Sequence, residues 1–127
     1  MYEKYMICDK SLRPLKEGSR VVGYQFDIKI PYYRGVFLCM VHELKFVVNG
    51  EPVDNRNIQF TAGGYTFDYD ELSTVTGHRW EFGQPATIRV RRKTPLLPGP
   101  CRIHAEVTIR IPYMPVLTPT VADKTVY

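Results

Sequence analysis

Tryptophan occurs once, and cysteine and histidine three times each, in these 127 residues. Each scarcity excludes something. Cys8, Cys39 and Cys101 are odd in number and too far apart for a metal knuckle. A disulfide framework is therefore not expected, and reduced thiols in a cytosol fit better. Cys39 stands in an apolar stretch and reads as a buried, inert thiol. His78 has no second histidine or cysteine close by, and Cys39-His42 and Cys101-His104 are single pairs three residues apart, each short of a full ligand set. A metal site would have to be assembled from distant strands. No serine, cysteine or threonine sits in a nucleophile elbow, and no glycine-rich phosphate loop precedes a helix. No apolar run approaches the roughly 20 residues of a membrane helix. The opening "MYEKYMICDK" carries Glu3, Lys4, Asp9 and Lys10 and lacks the apolar region and cleavage site of a signal peptide. The expectation is a cytoplasmic protein with no membrane partner.

Charge is not one-sided enough to name a partner. The net charge is +4, which raises nucleic acid as a ligand. Its one dense basic cluster is "RVRRK", Arg89 to Lys93. In a strand Arg89 and Arg91 share one face while Val90 and Arg92 point the other way. That is a solvated strand face, and no nucleic-acid partner is expected. The apolar fraction of 44% is ordinary for a globular chain, and the length suits one domain with one core.

Long helical periodicity is also missing. Alternation of apolar and polar residues takes its place. In Val21 to Ile30, Tyr24, Phe26, Ile28 and Ile30 share a face opposite Gln25, Asp27 and Lys29. Phe37 to Val48 alternates next, with Met40, His42, Leu44, Phe46 and Val48 on one face. His42 is thereby expected as a hydrogen-bonded core or interface residue. Asn49-Gly50 predicts a tight hairpin, because a type I′ turn needs positive φ at both central positions. A short strand is expected near Ile58 to Thr61, a turn at Gly63-Gly64, and a strand running into one helical turn around Asp70 to Leu72. Ala86 to Arg92 alternates again. "PLLPGP", Pro95 to Pro100, is a turn leading into the last strong strand, "CRIHAEVTIRI". There Arg102, His104, Glu106, Thr108 and Arg110 face outward. The pattern predicts an all-β, single-domain antiparallel β-sandwich, with a barrel-like variant as the alternative.

Two stretches stand out. "IPYYRG" from Ile30 and "IPYMP" from Ile111 each end an alternating run. Proline lacks an N–H and cannot continue a central ladder, so Pro31 and Pro112 mark strand ends. If both ends meet at one rim, Tyr32, Tyr33, Arg34 and Tyr113 gather there. The bland alternative is that the tyrosines lid the core. "TGHRWEFGQPATI" holds His78, Arg79 and the single Trp80. Arginine and tryptophan favour binding hot spots, and aromatic faces stack on sugars and flat rings. The alternative is that Trp80 and Phe82 plug one end of the sandwich. Asp68, Asp70 and Glu71 form an acidic group able to act as a base or hold a cation, against the reading of a solvated loop.

"YMICDKSLR", "VVGYQFDIKIPYYRGVFLCMV", "HRWEFGQPATIRVRR" and "IPYMP" together resemble the small β subunit of bacterial C-glycoside deglycosidases. The resemblance runs nearly end to end. It implies a heteromer of a TIM-barrel α subunit with this β subunit, in a higher hetero-oligomer. It implies a divalent metal, manganese or magnesium, in the α subunit and none held by this chain. The implied substrate is a 3-oxo-C-glucoside of a flavonoid or related phenol, and the products are the aglycone and an unsaturated keto-sugar. The implied chemistry is lyase cleavage of a carbon–carbon bond. An aryl carbon offers no basic oxygen to protonate, so the two-carboxylate glycosidase scheme does not apply. A C3 ketone acidifies the C2 proton instead. No catalytic residue is assigned to this chain. Tyr32, Tyr33, Arg34, His78, Arg79, Trp80 and Tyr113 are expected to touch the partner or the substrate. The tail Val116 to Tyr127 is expected to pack on the partner.

Two rival readings remain open at this level. One is a stand-alone carbohydrate- or flavonoid-binding β-sandwich without catalysis. The other is a structural adaptor with no ligand. An obligate subunit should expose an apolar patch that a free binding module lacks.

Overall fold

Alternation at period two becomes strand over most of the stretches that carry it. The computed structural model describes residues 6–8, 10–30, 35–81, 83–92, 100–110 and 120–126. Among these, eleven strands form: β1 (Arg13–Glu17), β2 (Arg20–Ile28), β3 (Val36–Phe37), β4 (Val41–Val48), β5 (Glu51–Pro52), β6 (Ile58–Ala62), β7 (Tyr65–Asp68), β8 (Arg79–Trp80), β9 (Ala86–Arg91), β10 (Cys101–Ile109) and β11 (Thr120–Val126). One sheet has the order β1-β2-β9-β6-β7 and a second the order β11-β10-β4-β5. β3 and β8 form a separate two-stranded ribbon. Every pairing is antiparallel.

The inward residues of both sheets meet in one cluster. Phe26, Ile28, Phe60 and Ile88 come from the first sheet; Leu44, Phe46, Ile103 and Val107 come from the second. Phe26 and Phe46 meet edge to face at 5.4 Å, which joins the layers. Burying each such side chain stabilises by about 1.5–3 kcal/mol. This is an all-β, sandwich-like single core, as the sequence pattern predicts, and it is not a closed barrel.

The turns follow their residues. Asn49 and Gly50 have φ of 52° and 80° and join β4 to β5. Gly63 and Gly64 are likewise positive and join β6 to β7. The expected helical turn is a 3₁₀ segment, Tyr69–Thr74. Gly23 allows β2 and β9 to approach, since a Cβ there would lie 1.9 Å from the Val90 carbonyl oxygen.

Two expectations need correction. The run Phe37 to Val48 is not one strand: Leu38–Met40 is a 3₁₀ turn between β3 and β4, so Cys39 lies half-buried in that turn. His42 is exposed, not in the core. Thr108 pairs with Glu43 while Ile109 pairs with Val41, so His42 is the extra residue of a bulge. The bulge shifts the alternation, turning Val41 inward and His42 outward. Within the tail, residues 120–126 form β11 and pair with β10 along this chain's own sheet. The turn 95–99 lies outside the described residues.

Candidate functional site

Ile30 and Arg110, the described residues that border the two Ile-Pro-Tyr stretches, lie toward the same rim of the sandwich. Tyr24 lies near Cys101 at the start of β10. Phe26, two residues on, packs on Phe46, which pairs with Ala105. β2 and β10 therefore run the same way in the two layers, and Ile30 and Arg110 emerge together. Tyr32, Tyr33, Arg34 and Tyr113 themselves lie outside the described residues, as does Phe82.

The β3–β8 ribbon closes this rim. Val36 pairs with Trp80 and Phe37 with Arg79. The Leu38 N–H donates to the His78 carbonyl at 3.0 Å, and the Cys39 N–H to the Val75 carbonyl at 2.9 Å. The Arg110 N–H donates to the Met40 carbonyl at 2.7 Å, and the Arg110 guanidinium to His42 Nδ1 at 3.1 Å. The ribbon, both 3₁₀ turns and the ends of β4 and β10 are thus tied into one surface.

Trp80 does not lie on that surface. It is fully buried, edge-to-face with Phe60 at 5.3 Å, and its Nε1–H donates to the Gln84 carbonyl at 3.2 Å. The expectation of an exposed tryptophan platform is corrected to a core plug. One residue earlier the alternation reverses, and Arg79 is exposed. Its guanidinium carbon sits 4.9 Å from the Phe37 ring centre, Nε donates to Glu81 Oε1 at 2.7 Å and the outer nitrogen donates to the Gly35 carbonyl at 3.1 Å. Phe37 remains 39% exposed under this cation. The His78 ring lies 4.5 Å from Tyr65 and 5.5 Å from Phe67. Tyr65 is 57% exposed, at the free edge strand β7.

The rim thus gathers His78 and Arg79, both singled out in the sequence, with Tyr65 and Phe37, which were not. What it presents is a set of exposed aromatics held by a cation, the composition enriched in protein interfaces. Two of the three acidic residues are used internally, while Asp70 is exposed. Asp68 accepts from Gln59 Nε2 at 2.9 Å, and Glu71 accepts from the Asp68 N–H at 2.8 Å. Among the described residues no group of three or more histidine, cysteine or acidic side chains could hold a metal ion. Burial pushes the Cys101 thiol up, so it stays protonated and unreactive.

His104 stands apart, on the outer face of the second sheet. Its Nδ1 is 2.7 Å from Asp123 and its Nε2 3.0 Å from Glu106. These hydrogen bonds, Glu106 first, hold its pKa above the ordinary 6.5. The fold therefore favours the imidazolium. That stabilisation is fully present below the unfolded value near 6.5 and is lost as pH rises through the raised folded value. The melting temperature of the wild type is expected to fall relative to His104→Gln across that window, as measured by thermal denaturation at a series of pH values. Parallel curves would contradict this.

The family model for the C-glycoside deglycosidase beta subunit matches residues 2–113. A C-glycoside deglycosidase beta subunit from Eubacterium cellulosolvens is 31% identical over 98 residues, covering 76% of this chain and 67% of that protein. A 3'-dehydrocarminate deglycosidase beta subunit from a Microbacterium species is 28% identical over 116 residues, covering 91% and 83%. With a family match spanning most of the sandwich, this chain belongs to the C-glycoside deglycosidase beta subunit family.

Proposed function

We propose that this chain is the small, non-catalytic subunit of a cytoplasmic lyase that cleaves 3-oxo-C-glucosides of flavonoids or related phenols. The observation that carries this reading is the family match over residues 2–113. The β-subunit names of the two relatives support a heteromer. The partner is a TIM-barrel α subunit, and the expected divalent cation belongs there. The reaction removes the proton at C2, acidified by the C3 ketone, and expels the aryl carbon from C1 as it takes up a proton. Asp68 and Glu71 are engaged in their own turn, which supports leaving the base to the partner.

The role left to the chain is docking. The rim of Phe37, Tyr65, His78 and Arg79 is the face that meets the α subunit, and Tyr32, Tyr33, Arg34 and Tyr113, outside the described residues, are proposed as further contacts. Exposed aromatics and arginine support this, because such side chains anchor interfaces. No helix of the described residues is long and apolar enough to cross a membrane, which is compatible with the cytoplasmic setting.

The chemistry is tested by the sugar product. Elimination leaves a sugar lighter by one water than hydrolysis does. Mass analysis of the product of the assembled enzyme on a 3-oxo-C-glucoside is expected to show the lighter, unsaturated keto-sugar with the free aglycone. A fully hydrated sugar formed directly, before any unsaturated species, would refute the lyase assignment.

A further inference from the structure

The outer face of the five-stranded sheet is more organised than a merely solvated face requires. One cross-strand row, Arg13–Gln25–Arg89–Gln59–Asp68, spans all five strands. The next row, Asp27–Thr87–Thr61–Thr66, spans four. The ends of the first row are occupied. Arg13 pairs with Asp27 at 3.1 Å, and Asp68 accepts from Gln59. Gln25 donates through Nε2 to the Pro14 carbonyl at 3.2 Å. Both glutamines so keep an amide oxygen as an acceptor. Thr61 and Thr66 share one hydrogen bond at 2.8 Å, which leaves one hydroxyl proton to donate.

Arg89 stands at the centre of that row, half-buried. Among the described residues its guanidinium has neither a hydrogen bond nor an ion pair, and Lys16 has none either. Both line one open cleft of about 440 Å³ together with Gln25, Thr61, Thr66 and Thr87. That volume lies within the roughly 300–1,000 Å³ of small-molecule sites. The wall is built by β1, where the register shifts between Leu15 and Lys16. Leu15, paired with Gly23, is buried on this side although it is not part of the central cluster. The cleft thus offers an unpaired, partly desolvated guanidinium, a second cation, hydroxyl and amide groups, and one apolar wall.

We propose that this cleft binds a small anionic polyhydroxy compound, a carboxylated sugar, with Arg89 gripping the carboxylate and the Gln and Thr side chains meeting hydroxyls. Charge decides the class. Arg13 is paired with Asp27, Asp68 bonds Gln59 and does not line the cleft, and among the described residues no carboxylate lines it beside Arg89 and Lys16, so the cleft itself is positive. A planar guanidinium matches a carboxylate in two parallel hydrogen bonds. The rigidity of four adjacent strands fixes the spacing of the hydroxyl partners.

Calorimetric titration of the chain in complex with its partner, using glucuronate, tests the site. Comparison with Arg89→Met and Lys16→Gln in the same complex subtracts any binding at the partner. The expected result is a dissociation constant on the order of 1 mM, weakened about tenfold or more by Arg89→Met and less by Lys16→Gln. Glucose, without the carboxylate, and acetate, without the hydroxyls, should each bind about tenfold or more weakly than glucuronate. Equal heats from wild type and Arg89→Met would overturn the proposal, as would acetate binding as tightly as glucuronate. Should Arg89→Met fail to assemble, Lys16→Gln decides: weakened affinity supports the site and unchanged affinity overturns it.

Discussion

Trp80→Ala is expected to destabilise the protein by about 3–5 kcal/mol. Domains of this size hold only about 5–15 kcal/mol in total, so roughly a fifth or more of the stability goes with one side chain. The reason is its position. Trp80 is fully buried, packs edge-to-face on Phe60, and is the inward residue of the ribbon that closes the rim. Alanine would leave a cavity lined by a sheet that cannot collapse into it. Urea denaturation of the chain reads the effect, and Trp80→Phe should fall between wild type and alanine. If the indole were a ligand platform, Trp80→Ala would leave the urea midpoint unchanged and lower affinity for aglycones. An unchanged midpoint would therefore remove Trp80 from the core.

The second large effect is expected one residue away and of a different kind. Arg79→Ala combined with Tyr65→Ala should weaken association with the proposed α subunit by about 2 kcal/mol or more, roughly 30-fold. The same pair should change the stability of the chain itself by no more than about 1 kcal/mol, because both side chains are at the surface. Arg79 bridges Gly35, Glu81 and the Phe37 ring, so its loss frees three neighbours that a partner would meet. Tyr65 carries the largest exposed apolar surface fraction among the described residues. Subunit association measured by analytical ultracentrifugation, beside a melt of each variant, separates the two quantities. Unweakened association would move the interface to another face, and a matching loss of stability would show that the pair serves the fold.

Much of the sandwich was legible because alternation is a local property. β2, β9 and β10 read directly from it, and the two tight turns follow from Asn-Gly and Gly-Gly, whose positive φ few other residues accept. What failed were features of pairs, not of single strands. The bulge that turns His42 outward exists only against Thr108 and Ile109, so no reading of β4 alone could find it. β1 buries one residue in five and lacks an apolar stripe. β11 is an edge strand whose weak pattern reads as a tail and not as a strand. The two-residue strands β3 and β8 are too short to carry a period at all.

The site divides in the same way. The segment His78 to Trp80 was recognisable by its residue types, but type does not tell inside from outside. Period two assigns Trp80 and Arg79 to opposite faces, and only the position of Phe60 shows which face is the core. Tyr65 and Phe37 reach the rim from distant parts of the chain, so no spacing signals them. The Arg89 face was visible as alternation and read as solvated. Its cross-strand rows appear only once β2, β9 and β6 are in register. The family, by contrast, was legible over nearly the whole chain from "IPYYRG", "RWEFG" and their surroundings, and its model matches residues 2–113.

The central claim is that this chain works only as one half of an enzyme. It is tested most directly by assaying aglycone release from a 3-oxo-C-glucoside with manganese, using this chain alone, the α barrel alone, and the two co-expressed. The account predicts release from the co-expressed pair and none from either chain by itself. Full release by the barrel alone would contradict it and reduce this chain to an accessory binder.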